Sequence, residues 1–146
     1  MAFTGQLAVV TGGGSGMGQA WARQLATNGA SVALLDVNAE GMATTAAGYD
    51  AIYPFTVDIT DAVAVKAAIS DIETQLGAID RVINAAAIMP FGRLADEDPS
   101  VTNAVMSVNY GGLVNVTTAT LPTMLQRGYG DFISFSSMTG IIPGLL

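Results

Sequence analysis

The 146-residue chain carries 12 acidic side chains against five basic ones, a net charge of −7, and 51% of its residues are hydrophobic against 12% charged. That is length enough for one domain with a real core, and so acidic a balance argues against nucleic acid or an anionic membrane as partner. There is no Cys and no His, which excludes thiolate zinc sites, thiol nucleophiles, disulfides, histidine acid–base chemistry and every Ser-His-Asp triad.

No charge precedes Arg23, yet the N-terminus lacks a basic start and its apolar run breaks into glycines, so it does not read as a signal peptide. The first predicted strand, Leu7–Thr11, ends in the cluster Gly12-Gly13-Gly14-Ser15-Gly16-Met17-Gly18. A helix follows over Gly16–Asn28, stopped by Gly29. A second strand, Ser31–Asp36, ends on an acid 18 residues past Gly18. Next come a helix over Ala39–Ala47, a strand over Ile52–Val57 closing at Asp58, and a helix over Ala62–Leu76 with Gly77 as stop; Asp61 and Ser100 read as N-caps or first-turn residues of their helices. The pattern closes with a strand over Arg81–Ala85, a helix over Ser100–Gln126 and a strand over Asp131–Ser136.

Alternating βα units with continuous apolar strands predict a single α/β domain over 1–146, with a parallel sheet covered on both faces. The stretch Pro99–Gln126 is uncharged and long enough to span a bilayer. Asn103, Asn109, Asn115, five Thr and a Gly-Gly pair make it a buried soluble helix instead. A cytoplasmic location is the default. A helix uncharged on every face also predicts self-association, as a homodimer or homotetramer.

Strand, glycine loop, helix, strand, acid is the order a dinucleotide site requires. The strict form G-x-G-x-x-G is absent, because the sixth position is Met17 counted from Gly12 and Gln19 counted from Gly14. The P-loop form fails as well, with Gln19 where a lysine is needed. What fits is Thr11-Gly12-x-x-x-Gly16-x-Gly18. Here Gly12 reads as the turn, Gly16 as the point of closest approach to a pyrophosphate, and Gly18 as the helix–strand contact. Gly13 and Gly14 keep the loop small, and Ser15 and Met17 complete it. Asp36 can accept hydrogen bonds from ribose hydroxyls and repel a 2′-phosphate. Neither Ser15 nor Val37 offers a compensating cation, so the expected cofactor is NAD rather than NADP. Each signal has a plainer reading, as a helix-initiating turn or a solvated turn acid, but their order and spacing together favour the nucleotide site.

The Thr-Gly-x-x-x-Gly-x-Gly loop resembles that of the short-chain dehydrogenase/reductase family, and further segments resemble it in the family's order along essentially the whole chain. Val57-Asp58-Ile59 is similar to the segment where the family has an aspartate beside the adenine. Val82-Ile83-Asn84-Ala85-Ala86-Ala87 resembles its Asn-Asn-Ala-Gly strand, keeping Asn84 and Ala86 and departing at Ala85 and Ala87. Ser107-Val108-Asn109-Tyr110-Gly111-Gly112 resembles the segment whose Asn supports a proton-relay water. Ile133-Ser134-Phe135-Ser136-Ser137-Met138-Thr139-Gly140 resembles the strand end whose second paired serine is catalytic. The resemblance implies a Rossmann-type doubly wound sheet of order 3-2-1-4-5, with the switch point beside Gly12 and Asn84. It further implies an NAD site that includes Ala85 and Ala86, catalytic roles for Ser137 and Asn109, no metal, and a small alcohol or carbonyl substrate.

Several residues keep two readings. Asp58 also reads as a turn acid before Ile59-Thr60-Asp61, and Asn109 as a cap or kink beside Gly111-Gly112. Ser134 and Ser136 fit backbone satisfaction better than Ser137 does. Met89, Phe91 and Leu94 read as substrate wall or as loop packing, and Trp21 as core or interface.

The family's Tyr-x-x-x-Lys pair follows the serine by a little over ten residues. Here nine residues follow Ser137, Lys66 is the only lysine, and the residue four before it is Ala62. The ending Pro143-Gly144-Leu145-Leu146 reads as part of a substrate loop. The expectation is therefore the N-terminal portion of a longer enzyme, or a truncated product, inactive by itself because the acid–base pair is missing. Two alternatives stay open: a non-catalytic NAD-binding module or sensor, and a methyltransferase, against which the glycine pattern and the Asn84-Ala85-Ala86 strand argue.

Overall fold

The computed structural model describes residue 3 and residues 5–137. The expectations placed on Met138-Thr139-Gly140 and on Pro143–Leu146 lie outside the described residues. Five strands, β1 (Leu7–Thr11), β2 (Ser31–Asp36), β3 (Ile52–Thr56), β4 (Ile79–Asn84) and β5 (Asp131–Ser134), form one sheet of order β3-β2-β1-β4-β5. Every pairing is parallel. This is the doubly wound Rossmann-type order. The direction of winding reverses between β1 and β4, which opens a crevice beyond their carboxyl ends.

Strand alternation divides the core into two layers. Val9, Leu35 and Val82 pack on Val65, Ile69 and Ile72 of α3 (Ala62–Leu76) and on Val116 and Met124 of α5 (Leu113–Arg127). Ala8, Val10, Leu34 and Ile83 pack on Ala22 and Leu25 of α1 (Gly16–Thr27) and Met42 of α2 (Ala39–Ala46). Burial on both faces explains why β1 and β2 are apolar without interruption. β3 lies at the sheet's edge, where Tyr53 and Pro54 are exposed and a missing N–H is tolerated.

Three elements depart from the sequence pattern by two residues or more. β5 ends at Ser134, two residues short of the expected Ser136. β4 starts two residues before the expected Arg81, because Asp80 is an extra residue in the ladder. Leu7 pairs with Ile79 and Ala8 with Arg81, so Asp80 bulges between them. Its carboxylate accepts the Leu7 N–H at 3.0 Å and an Arg127 guanidinium N–H at 3.0 Å, while Arg127 also donates to the Ile79 carbonyl. A charged residue at a strand start masks the strand from an apolar-run reading.

The expected single helix over Ser100–Gln126 is three consecutive pieces: α4 (Pro99–Met106), a π-helical turn over Ser107–Gly112, and α5. The widened turn falls on Gly111-Gly112, where helix propensity is weakest. Gly112 is buried against Ile59, so close that a Cβ there would lie 2.4 Å from the Ile59 Cδ1. Full burial of this stretch is not observed. α5 buries Val116, Thr120 and Met124, whereas α4 has no buried residue, and Met106 and Tyr110 are exposed. Asp98 caps α4, and the hydrogen bonds it accepts from Ser100 hold its carboxyl below the ordinary range.

Asp80→Ala should remove the acceptor of a strand N–H and of a half-buried guanidinium together. A loss of about 2–3 kcal/mol in urea unfolding is expected, with the slope of the transition unchanged.

Candidate functional site

The floor of the crevice is a contact between two strand ends. The buried Thr11 hydroxyl oxygen accepts the N–H groups of both Ala85 and Ala86 at 3.1 Å. Gly12 follows at φ +69°, and a Cβ there would lie 2.7 Å from the Ala86 N and Cα. No side chain fits between the strands. Behind the loop, a Cβ on Gly18 would lie 2.2 Å from the Gly12 carbonyl oxygen, so only glycine lets α1 rest on the turn.

α2 clamps the loop from its other side. The buried Thr45 hydroxyl donates to the Gly13 carbonyl at 2.8 Å and accepts from the Gln19 amide at 2.9 Å. Gly41 passes so near the Gly14 carbonyl that a Cβ would lie at 2.6 Å from it. The Asp36 carboxylate joins loop and helix: it accepts the Gly14 N–H at 2.8 Å and the Asn38 N–H at 2.9 Å. Gly14 is thus more than a small residue, since its amide orients the acid.

α1 presents an uncapped N-terminus to the crevice. Side chains of Asn38, Asp61 and Asp98 cap α2, α3 and α4, whereas Ser15 makes no capping bond to α1. Gly16 has φ +53° and nothing within 4 Å of a Cβ built there. Open first-turn N–H groups and the positive end of the helix dipole therefore face a groove.

That groove has a volume of about 530 Å³. Gly12, Ser15, Gly16, Met17, Asp36, Val37, Asp58, Ile59, Ala85 and Ala86 line it, with Leu35, Ala87, Ile88, Met89 and Val108. Gly14 and Gly18 act from behind it. Asp58 lines the groove, and as a turn acid its Oδ1 accepts the Thr60 N–H and hydroxyl at 2.9 and 2.8 Å.

A second cavity of about 120 Å³ adjoins, lined by Thr11, Asn84, Ala87, Asn109, Leu113 and Phe135 among others. Asn84 is 8% exposed, and neither atom of its side-chain amide has a hydrogen-bond partner among the described residues. A buried amide in that condition implies a partner supplied from the cavity. Asn109 lies in the π turn and exchanges two hydrogen bonds with Ile88, accepting its N–H and donating to its carbonyl, both at 2.9 Å. Ser137 lies three residues beyond β5 and lines neither cavity.

The sequence reading left Thr11, Thr45 and Asn115 without roles. Asn115 donates to the Ile59 carbonyl at 2.9 Å and the Thr60 carbonyl at 3.3 Å. The signal for it was an amide in an otherwise uncharged helix; for Thr45 it was a hydroxyl on the inward face of a small-residue helix.

A family model described as short chain dehydrogenase matches residues 6–145. The chain belongs to this family. It is 34% identical over 139 residues to a 2-dehydro-3-deoxy-L-rhamnonate dehydrogenase (NAD(+)) of Sphingomonas sp. (strain SKA58), covering 94% of this chain and 56% of that one. It is 33% identical to 2-(S)-hydroxypropyl-CoM dehydrogenase 3 of Xanthobacter autotrophicus, covering 94% and 55%. A gluconate 5-dehydrogenase from Burkholderia cenocepacia J2315, solved in complex with NADP and tartrate, superposes with a TM-score of 0.87 at 34% identity over 98% of this chain and 58% of that one. The chain thus spans little more than half the length of these relatives. Short-chain dehydrogenases use nicotinamide cofactors. The uncapped α1 terminus, the open Gly16 and the unpartnered Asn84 amide fit such a group.

The two loop glycines should separate binding from folding. Gly16→Ala places a Cβ in open groove at a cost of about 1 kcal/mol for its backbone conformation, and should weaken dinucleotide binding tenfold or more. Gly18→Ala forces a Cβ onto the Gly12 carbonyl and should cost about 2 kcal/mol or more in stability. Urea unfolding and fluorescence titration distinguish the pair.

Proposed function

We propose that this protein is an NAD-dependent dehydrogenase interconverting a small alcohol and its ketone or aldehyde. The observation that carries the cofactor choice is Asp36. Its carboxylate lies at the end of β2 on the groove, anchored by the Gly14 and Asn38 N–H groups, with exposed Val37 beside it and no Lys or Arg among the described residues that line the groove. A 2′-phosphate would meet an oriented negative charge and no cation, whereas ribose hydroxyls would find an acceptor. Both oxygens keep lone pairs beyond those their backbone donors use.

Bound NAD supplies the hydride chemistry. The α1 N-terminus at Gly16 would hold the pyrophosphate, Asp58 and Ile59 the adenine, and the Asn84 amide the nicotinamide side. Ser137 orients the substrate oxygen, and Asn109 holds the Ile88 backbone that borders the substrate. The apolar Met89 in the lining suits a small organic substrate. The exposed row Met106, Tyr110 and Val114 offers a face for a second copy, as homodimer or homotetramer. We place the protein in the cytoplasm.

A non-catalytic NAD-binding module is the second reading, favoured by one observation: Ser137 lines neither of the two cavities at the strand ends. The distinction is experimental.

NAD should bind with clear preference over NADP in calorimetric titration, and equal or tighter NADP binding would overturn the assignment. Asp36→Ala should weaken NAD about tenfold or more and narrow the preference. It should not convert the site to NADP, because the Gly14 and Asn38 amides lose their common acceptor.

The 146 residues by themselves should form no NADH above background with a panel of secondary alcohols. General acid–base assistance contributes about 10²–10⁴-fold, and an unassisted serine hydroxyl is a poor proton acceptor near neutral pH. Robust turnover would refute the proposed division of roles.

A further inference from the structure

The groove has two walls built from loops, and both are held by one helical run. On one side, Asn109 exchanges hydrogen bonds with the Ile88 backbone. On the other, the Asn115 amide donates to the carbonyls of Ile59 and Thr60. Asp58, Ile59, Ile88 and Met89 all line the groove between these anchors. The π turn over Ser107–Gly112 contains Asn109 and ends three residues before Asn115. One residue added to a helix rotates everything after it by about 100°, so this turn sets the phase of Asn115 relative to Asn109.

The Asn115 contact bears on a single carboxylate. The Asp58 Oδ1 is fixed by the Thr60 N–H and hydroxyl, so its orientation follows the Thr60 backbone. Asn115 holds that backbone from the helix side, and Gly112 admits the buried Ile59 side chain against the same helix. The Asp58 Oδ2 accepts no hydrogen bond among the described residues. It is an acceptor at the groove whose position depends on a helix to which, among the described residues, its carboxylate makes no hydrogen bond.

We propose that Asn115 is a positioning residue for adenine recognition: by holding the Ile59–Thr60 backbone it sets the Asp58 carboxylate where it accepts the 6-amino group of the bound nucleotide. This rests on the nucleotide reading above. It assigns to Asn115 a role in base selection, separate from the ribose contact at Asp36 and from the chemistry.

The test compares NAD with nicotinamide hypoxanthine dinucleotide, which lacks the amino donor, by direct binding to the full chain. The unmodified protein should favour NAD by roughly tenfold or more, as for a hydrogen bond to a charged acceptor. Asn115→Asp keeps the shape but turns an oxygen toward two carbonyl oxygens; Asn115→Leu removes the donor altogether. Each should reduce the preference to about threefold or less, as should Asp58→Ala. Circular dichroism identifies a folded variant, and either one suffices.

A folded Asn115 variant that binds both dinucleotides more weakly by the same factor, or binds both normally, overturns the inference. If Asp58→Ala meanwhile loses the preference, the nucleotide reading stands. An unmodified protein that does not discriminate, or an Asp58→Ala variant that still does, removes Asp58 from the base and the inference with it.

Discussion

The arrangement depends on the approach of two parallel strand ends that hydrogen-bonded pairing alone does not complete. Beyond Thr11 and Asn84 the ladder stops, and one side-chain hydroxyl takes over by accepting the N–H groups of Ala85 and Ala86. This lets Gly12 turn away at positive φ with its α-carbon against the Ala86 backbone. A methyl group at that contact would wedge β1 from β4. The crevice, the open end of α1 and the position of Asn84 all follow from closing this gap.

Around that contact, order is imposed from three directions. α2 reaches the loop through Thr45 and Gly41, Asp36 gathers amides from the loop and from the α2 terminus, and the helical run 99–127 braces both outer loops. Most of these bonds join side chain to backbone. Such contacts fix loops that lack regular pairing of their own, and they are satisfied before any ligand arrives. Among the buried side chains of the described residues the Asn84 amide is the exception, and it lines the smaller cavity.

Much of this was legible in the sequence because its signals are local. Apolar runs, a glycine cluster and an acid at a fixed spacing place β1, α1, β2 and the groove residues Gly12, Gly16 and Asp36 without knowledge of distant partners. What was not legible depends on distance along the chain. Thr45 meets Gly13 across 32 positions and Asn115 meets Ile59 across 56, and neither residue type announces its partner. The π turn is hidden for a related reason: periodicity shows a helix continuing on both sides, while the widened turn falls where Gly112 packs against the distant Ile59 side chain. Asp80 misled in the opposite sense, since a bulged, charged residue imitates the end of a loop.

That bulge has a consequence for lineage and for engineering. It absorbs one residue at the amino end of β4, while the four rungs above it, from Ala8–Arg81 to Thr11–Asn84, stay in step. A change of length in the link from α3 can therefore be taken up at the base of the sheet before it reaches the crevice. The opposite end has no such slack: an insertion between Asn84 and Ala86 would displace the amides that Thr11 holds. Homologous chains can be expected to vary in length at the amino ends of their strands and to keep a fixed count at the carboxyl ends.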